Sequence, residues 1–130
     1  VSMVLIASFQ GLFAQDPTIV ECGGDPVSES YCYLNYDSHS WHWQSSSGGA
    51  LALSFSVGSI ESVTYDHLTI YDGVDNSGIL LYQHSLTSEE DLGDVMVIGA
   101  SGDIYMEMSA DGSNSCSDGF ATSWAWQVGC

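Results

Sequence analysis

The chain carries 17 Asp and Glu residues, no Lys or Arg, and a formal charge of −17 over 130 residues. Any carboxylate that folding brings indoors must therefore be protonated, hydrogen-bonded, set beside one of the four histidines, or neutralised by a cation from outside. The charge also repels itself in the compact state. Extracellular calcium is the simplest external remedy, and calcium is the cofactor the composition points to. Nucleic acid is excluded as a partner, because phosphate recognition rests on Lys and Arg. An anionic membrane surface is disfavoured for the same reason.

A chain of this length holds one domain. Its apolar content of 45% argues against disorder despite the charge, and its wealth of Gly, Ser, Thr and Tyr predicts an all-β domain. Cys22, Cys32, Cys116 and Cys130 form no C-x-x-C pair, so two disulfides in an oxidising compartment are expected, and the protein is read as secreted. The segment Val1 to Ala14, VSMVLIASFQGLFA, is too short to span a bilayer as a helix. It reads either as a signal-peptide remnant or as an apolar arm that pairs with a neighbouring sheet edge. In the second reading Val1, Met3, Val4, Leu5, Ile6, Phe9, Leu12 and Phe13 are the assembly residues. The expected division is an N-terminal segment over 1–21 and a domain over 22–130.

Hydrophobicity alternates with a period of two. Leu51, Leu53, Phe55 and Val57 alternate with small residues, as do Leu68 and Ile70 with His67, Thr69 and Tyr71; Ile104, Met106 and Met108 face away from Tyr105, Glu107 and Ser109. These are half-buried strands. Val95 to Ala100 is a short apolar run. Ser40-Trp41-His42-Trp43-Gln44 and Ser123-Trp124-Ala125-Trp126-Gln127 echo one another, and their indoles are expected between two sheets rather than as a sugar-stacking platform. Turn residues at 46–49, 72–78, 101–103 and 111–114 separate the strands, with Asp72, Asp75 and Asn76 expected in an Asx-type turn. Eight or so such strands make an antiparallel β-sandwich or jelly roll.

At Tyr65-Asp66-His67-Leu68-Thr69-Ile70-Tyr71-Asp72-Gly73 the chain resembles the CUB domain, whose central strand reads D-x-L-x-I-Y-D-G. The resemblance extends to Leu51–Phe55 and Glu61 ahead of that strand, and to Met108–Ser113 and Gly119–Thr122 behind it. It covers roughly 22–130 and is nearest to secreted bacterial CUB-like modules. Asn35-Tyr36 stands where the family has N-Y-P, without the proline. The resemblance implies a calcium site made by Glu61, Asp66 and Asp111, with Gly112 or Ser113 offering carbonyls; calcium takes six to eight oxygens. Glu89, Glu90, Asp91 and Asp94 are read as a solvated loop.

Catalysis has little support: no G-x-S-x-G elbow and no H-E-x-x-H helix appears, and His39, His42, His67 and His84 are read as isolated strand-surface residues. The chain is thus expected to be a non-enzymatic, secreted, calcium-stabilised structural subunit. It would build an extracellular filament from copies of itself through its N-terminal segment. The alternative is an adhesion module that binds carbohydrate or protein without polymerising. Asn114-Ser115-Cys116 is at best an unusual glycosylation sequon. For the disulfides, Gly119 to Val128 reads as one strand of about 30 Å, which would hold Cys116 and Cys130 apart; the expected pairs are Cys22–Cys130 and Cys32–Cys116.

Overall fold

The computed structural model describes residues 16–130. The eight assembly residues named above, Val1 to Phe13, lie outside the described residues. Eleven strands are present there: β1 (Thr18–Val20), β2 (Val27–Tyr31), β3 (Ser38–Ser45), β4 (Leu51–Val57), β5 (Ser59–Ile60), β6 (His67–Asp72), β7 (Ile79–Gln83), β8 (Glu90–Asp91), β9 (Met96–Gly99), β10 (Asp103–Ser109) and β11 (Trp124–Gly129). No helix of the described residues is long and apolar enough to cross a membrane.

The strands form a five-stranded sheet in the order β1-β3-β10-β6-β7 and a four-stranded sheet in the order β2-β11-β4-β9, with a small β5-β8 ribbon. Pairing is antiparallel except between β1 and β3. The β-branched run Thr18-Ile19-Val20 places β1 on the edge of the larger sheet beside Trp43, Gln44 and Ser45. The folded unit thus begins ahead of Cys22, inside the segment read as an arm. β4 faces β10, and β7 touches β9, so β1 and β2 lie along one side of the sandwich and β7 and β9 along the other.

The alternation read from sequence builds the core. Leu51, Leu53, Leu68, Ile70, Ile104 and Met106 are fully buried between the sheets, and Phe55 and Met108 nearly so. Of the four tryptophans, Trp43, Trp124 and Trp126 are buried and Trp41 is partly so. Trp126 meets Trp41 edge-on at 5.4 Å and Trp43 at 6.1 Å, and Phe55 stands edge-on to Trp124 at 6.1 Å. Such T-shaped contacts favour the ring quadrupoles and add to the area term. Gly58 is held at φ +145°, and a Cβ there would lie 2.9 Å from Trp124, so the indole needs a bare backbone at that position.

Within the apolar run Val95 to Ala100, Val97 and Gly99 face the core while Met96 and Ile98 are exposed, because β9 is an edge strand with β4 on one side only. Two expectations need correction. Val57, expected in line with Phe55, is exposed past a register shift in the β11–β4 pairing. The last strand begins at Trp124 rather than Gly119; residues ahead of it turn back on the 115–116 segment through Gly119 and Phe120 N–H bonds. The disulfides nonetheless join Cys22 to Cys130 and Cys32 to Cys116.

The Cys32–Cys116 bridge spans 84 residues. Replacing both cysteines by serine should cost about 3–5 kcal/mol by loop entropy. Equilibrium denaturation of the two proteins under oxidising conditions measures this directly; a loss below about 1 kcal/mol would contradict it.

Candidate metal centre

Glu61, Asp66 and Asp111 come from two loops at one end of the sandwich, Glu61 and Asp66 from the two ends of the β5–β6 connection. Glu61 follows β5, Asp66 precedes β6 and Asp111 follows β10. The 62–66 turn delivers Asp66: the Tyr65 and Asp66 N–H groups donate to the Ser62 carbonyl, and the Thr64 N–H donates to Ser62 Oγ. One carboxylate oxygen from each of the three residues lies within 4.8 Å of the others. Asp66 is fully buried, Glu61 is buried and Asp111 is half-buried.

A hub holds this trio in place. The Tyr33 hydroxyl donates to Asp66 Oδ2 at 2.9 Å and accepts the Glu61 N–H at 3.3 Å. Asp66 Oδ1 accepts the Asp111 N–H at 3.0 Å, and Glu61 Oε1 accepts from Asn114 Nδ2 at 3.0 Å. Asn114 sits at φ 60°, a left-handed conformation that Asn tolerates better than most residues. Glu61 Oε2 is buried and has no hydrogen-bond partner among the described residues.

The electrostatics follow from burial. Desolvation holds the Glu61 carboxyl above its ordinary value, reinforced by Asp66, Asp111 and Asp118 and opposed by Asn114. Desolvation raises Asp66 as well, with the Asp111 N–H and the Tyr33 hydroxyl pulling the other way. Burial beside these carboxylates pushes the Tyr33 phenol upward, so it remains a donor. Three crowded carboxylates with one orphaned oxygen are a donor set suited to a hard divalent cation, which takes oxygen ligands and tolerates irregular geometry when it is calcium.

Gly112 and Ser113, expected as carbonyl donors, occupy the exposed turn after Asp111. The Ser113 N–H donates to Asp111 Oδ1 at 3.3 Å. Gly112 lies under Tyr36, where a Cβ would come within 2.4 Å of the phenol oxygen; Tyr36 itself is at φ 58°.

No family model and no curated protein matches the sequence. The fold has close counterparts among solved structures. The MASP-1 CUB2 domain bound to Ca2+ superposes with a TM-score of 0.61 at 12% identity, over 89% of this chain and 100% of that one. The CUB1-EGF-CUB2 domains of rat MASP-1 match with a TM-score of 0.62 at 13% identity, over 87% of this chain and 42% of that one. The fold is CUB-like.

Sequence reasoning missed several residues around the centre of this CUB-like domain. Tyr33 and Asn114 were not foreseen, although Tyr33 follows a bridged cysteine and Asn114 sits in a turn sequence. His84, expected at a strand surface, is almost wholly buried. Its Nδ1 lies 2.8 Å from Glu90 Oε1 and its Nε2 lies 2.6 Å from the Glu61 carbonyl. Glu90, expected in a solvated loop, also accepts from Tyr82 and from the Ser85 and Leu86 N–H groups. Burial alone would raise this carboxyl; the donors outweigh burial and hold it below its ordinary value. His42, likewise expected on the surface, is buried against Asp103 at 2.7 Å. Asp75 does make the expected Asx turn, accepting the Ser77 N–H at 2.9 Å.

Raised folded-state pKa values have a definite sign. Without metal, Glu61 and Asp66 favour the folded state when protonated, so stability should be greatest below their ordinary values and decline as pH rises through the raised ones. Removing the buried charge with Glu61→Gln should raise metal-free stability at neutral pH by on the order of 1 kcal/mol. Denaturant melts in chelator across an acidic-to-neutral pH series test this, and a less stable E61Q protein at neutral pH would contradict the assignment.

Proposed function

We propose that the chain is an extracellular, non-catalytic CUB-like module that binds one calcium ion at Glu61, Asp66 and Asp111, and that its role is structural. The observation carrying this reading is the orphaned, buried Glu61 Oε2 beside two further carboxylates in a chain without Lys or Arg. Calcium would close the loops after β5 and β10 onto the start of β6. Carbonyls of Gly112 or Ser113 and water would complete its coordination. The calcium-bound state of the MASP-1 CUB2 domain supports the same choice of ion. Two long-range disulfides support an oxidising, extracellular location.

The structural role is self-assembly into a filament through residues 1–14, an uncharged apolar segment attached to a strongly anionic domain. A second reading, a module binding neutral carbohydrate, has one specific support. The outer face of the five-stranded sheet carries an open polar groove of about 250 Å³ lined by Ser38, Ser40, His67, Thr69, Tyr105 and Glu107. Hydroxyl, imidazole and phenol groups suit sugar hydroxyls, and the absence of Lys and Arg disfavours anionic glycans.

Calcium that binds only the folded state must raise the melting temperature with concentration. Millimolar calcium should stabilise the parent and EGTA should reverse this, while Asp66→Asn should melt identically in both. Isothermal titration should give one site in the range of about 10⁻⁴–10⁻³ M common for extracellular modules. Calcium-independent melting of the parent would remove the metal assignment. A variant lacking Val1 to Ala14 should remain folded, calcium-binding and monomeric; fibres from that variant would remove the assembly reading.

A further inference from the structure

The strands of the four-stranded sheet are nearly free of charge in a molecule that is otherwise strongly acidic. β4, β9 and β11 contain no ionisable carboxylate, and β2 contains only Glu29, which turns inward to accept the Trp43 indole N–H at 2.6 Å. β7, the neighbouring edge of the other sheet, is also uncharged. Large exposed apolar side chains gather there: Met96 and Ile98 on β9 are 61% and 53% exposed, and Ile79 and Leu80 on β7 are 72% and 50% exposed. Exposed apolar edges are usually blunted by charge or covered, since they present an unpaired row of backbone groups.

We propose that residues 1–14 of one copy add as a strand to the open β9 edge of the next copy, against Met96 and Ile98. The inference rests on the self-assembly reading above and names its acceptor surface. Three observations carry it. Two copies of a chain with 17 carboxylates and no Lys or Arg can approach closely only where charge is absent. The 1–14 segment and the β9 edge are both such places. The segment is apolar at odd and even positions alike, Val1, Met3, Leu5, Phe9 and Phe13 at the one and Val4, Ile6 and Leu12 at the other, so a strand built from it would offer apolar side chains on whichever face it turned to the acceptor. Finally, the point where the described chain begins and the acceptor lie on opposite sides. The described chain enters through β1, on the edge shared with β2, whereas β9 lies on the edge shared with β7. A contact between two different surfaces on opposite sides is heterologous, and repeating it extends a row of copies without consuming both surfaces of any copy.

The test uses two full-chain variants in calcium, with folding verified by thermal melting: Leu5→Asp/Phe9→Asp, which spoils the donor, and Met96→Glu/Ile98→Glu, which spoils the acceptor at solvent-exposed positions. Analytical ultracentrifugation and negative-stain imaging should show filaments for the parent and monomers for each variant alone. Mixing the two should give a one-to-one dimer and nothing larger, because only one joint can form. Ser28→Glu/Ser30→Glu, which adds the same charge to β2, should still assemble. If the parent does not assemble, or the donor variant does, the self-assembly reading fails and this inference with it. If the donor variant is monomeric while the acceptor variant forms filaments, self-assembly stands and β9 is overturned as its acceptor. A mixture that stays monomeric, or a β2 variant that fails to assemble, also overturns it.

Discussion

The Tyr33 hydroxyl is the interaction on which the acidic end of the sandwich depends. With no Lys or Arg available, a buried carboxylate must be held by neutral donors or by imidazole, and Tyr33 bonds to two of the three candidate ligands at once: to the Asp66 side chain and to the Glu61 backbone. The same solution recurs through the fold. Glu29 takes the Trp43 indole N–H, Asp103 takes His42 and the Gln44 amide, Asp37 takes Tyr31, and Glu90 takes Tyr82 and His84. Tyrosine and tryptophan suit this work because each offers one donor from an otherwise apolar body. The aromatics that fill the core thus also hold the charges at its rim.

His84 ties one of these carboxylates to the backbone of the candidate metal centre. It is almost wholly buried and bridges the Glu90 carboxylate to the Glu61 carbonyl. Glu90 is therefore held by geometry, with phenol, imidazole and two backbone N–H groups converging on it. Glu61 is not: one oxygen has Asn114 and the other has no partner among the described residues. The difference separates a carboxylate that serves the fold from one that is left for a ligand. The Cys32–Cys116 bridge adds to this arrangement by tying the residue before Tyr33 to the loop that carries Asn114.

Much of the sandwich was legible because strand period, turn residues and paired indoles are local signals. Leu51, Leu53, Leu68, Ile70, Ile104 and Met106 face the core as their alternation requires. The three carboxylates of the candidate centre were reachable only through resemblance to a family, since Asp111 lies far in sequence from Glu61 and Asp66 and the three share no spacing rule. What stayed hidden depends on long-range placement. Whether Val57 or Ile98 is buried depends on a register shift and on the position of β9 at a sheet edge, and neither is written in the neighbouring residues. His84 and Glu90 read as surface groups because, six positions apart, they reveal nothing of the Glu61 carbonyl they enclose. The Cys116–Cys130 separation was inferred from a strand that is really a turn followed by a shorter strand, so a sound pairing rested on a premise the fold does not share.

The distribution of charge connects the metal centre to the surface. Carboxylates collect in the loops and on the larger sheet, where Asp72, Asp103 and Glu107 lie, while the smaller sheet turns its single carboxylate inward. This segregation is costly for an isolated molecule, because crowding like charges raises their mutual repulsion, and salt at ordinary concentrations largely screens only charges more than about 8–10 Å apart. It becomes favourable when cations gather at the acidic loops and apolar edges gather elsewhere. A calcium ion at Glu61, Asp66 and Asp111 would remove two units of charge where repulsion is least screened, leaving the uncharged β7 and β9 side as the natural approach for another copy. Metal binding would then draw on the loops at one end of the sandwich and association on an uncharged edge strand, so the two would use different groups.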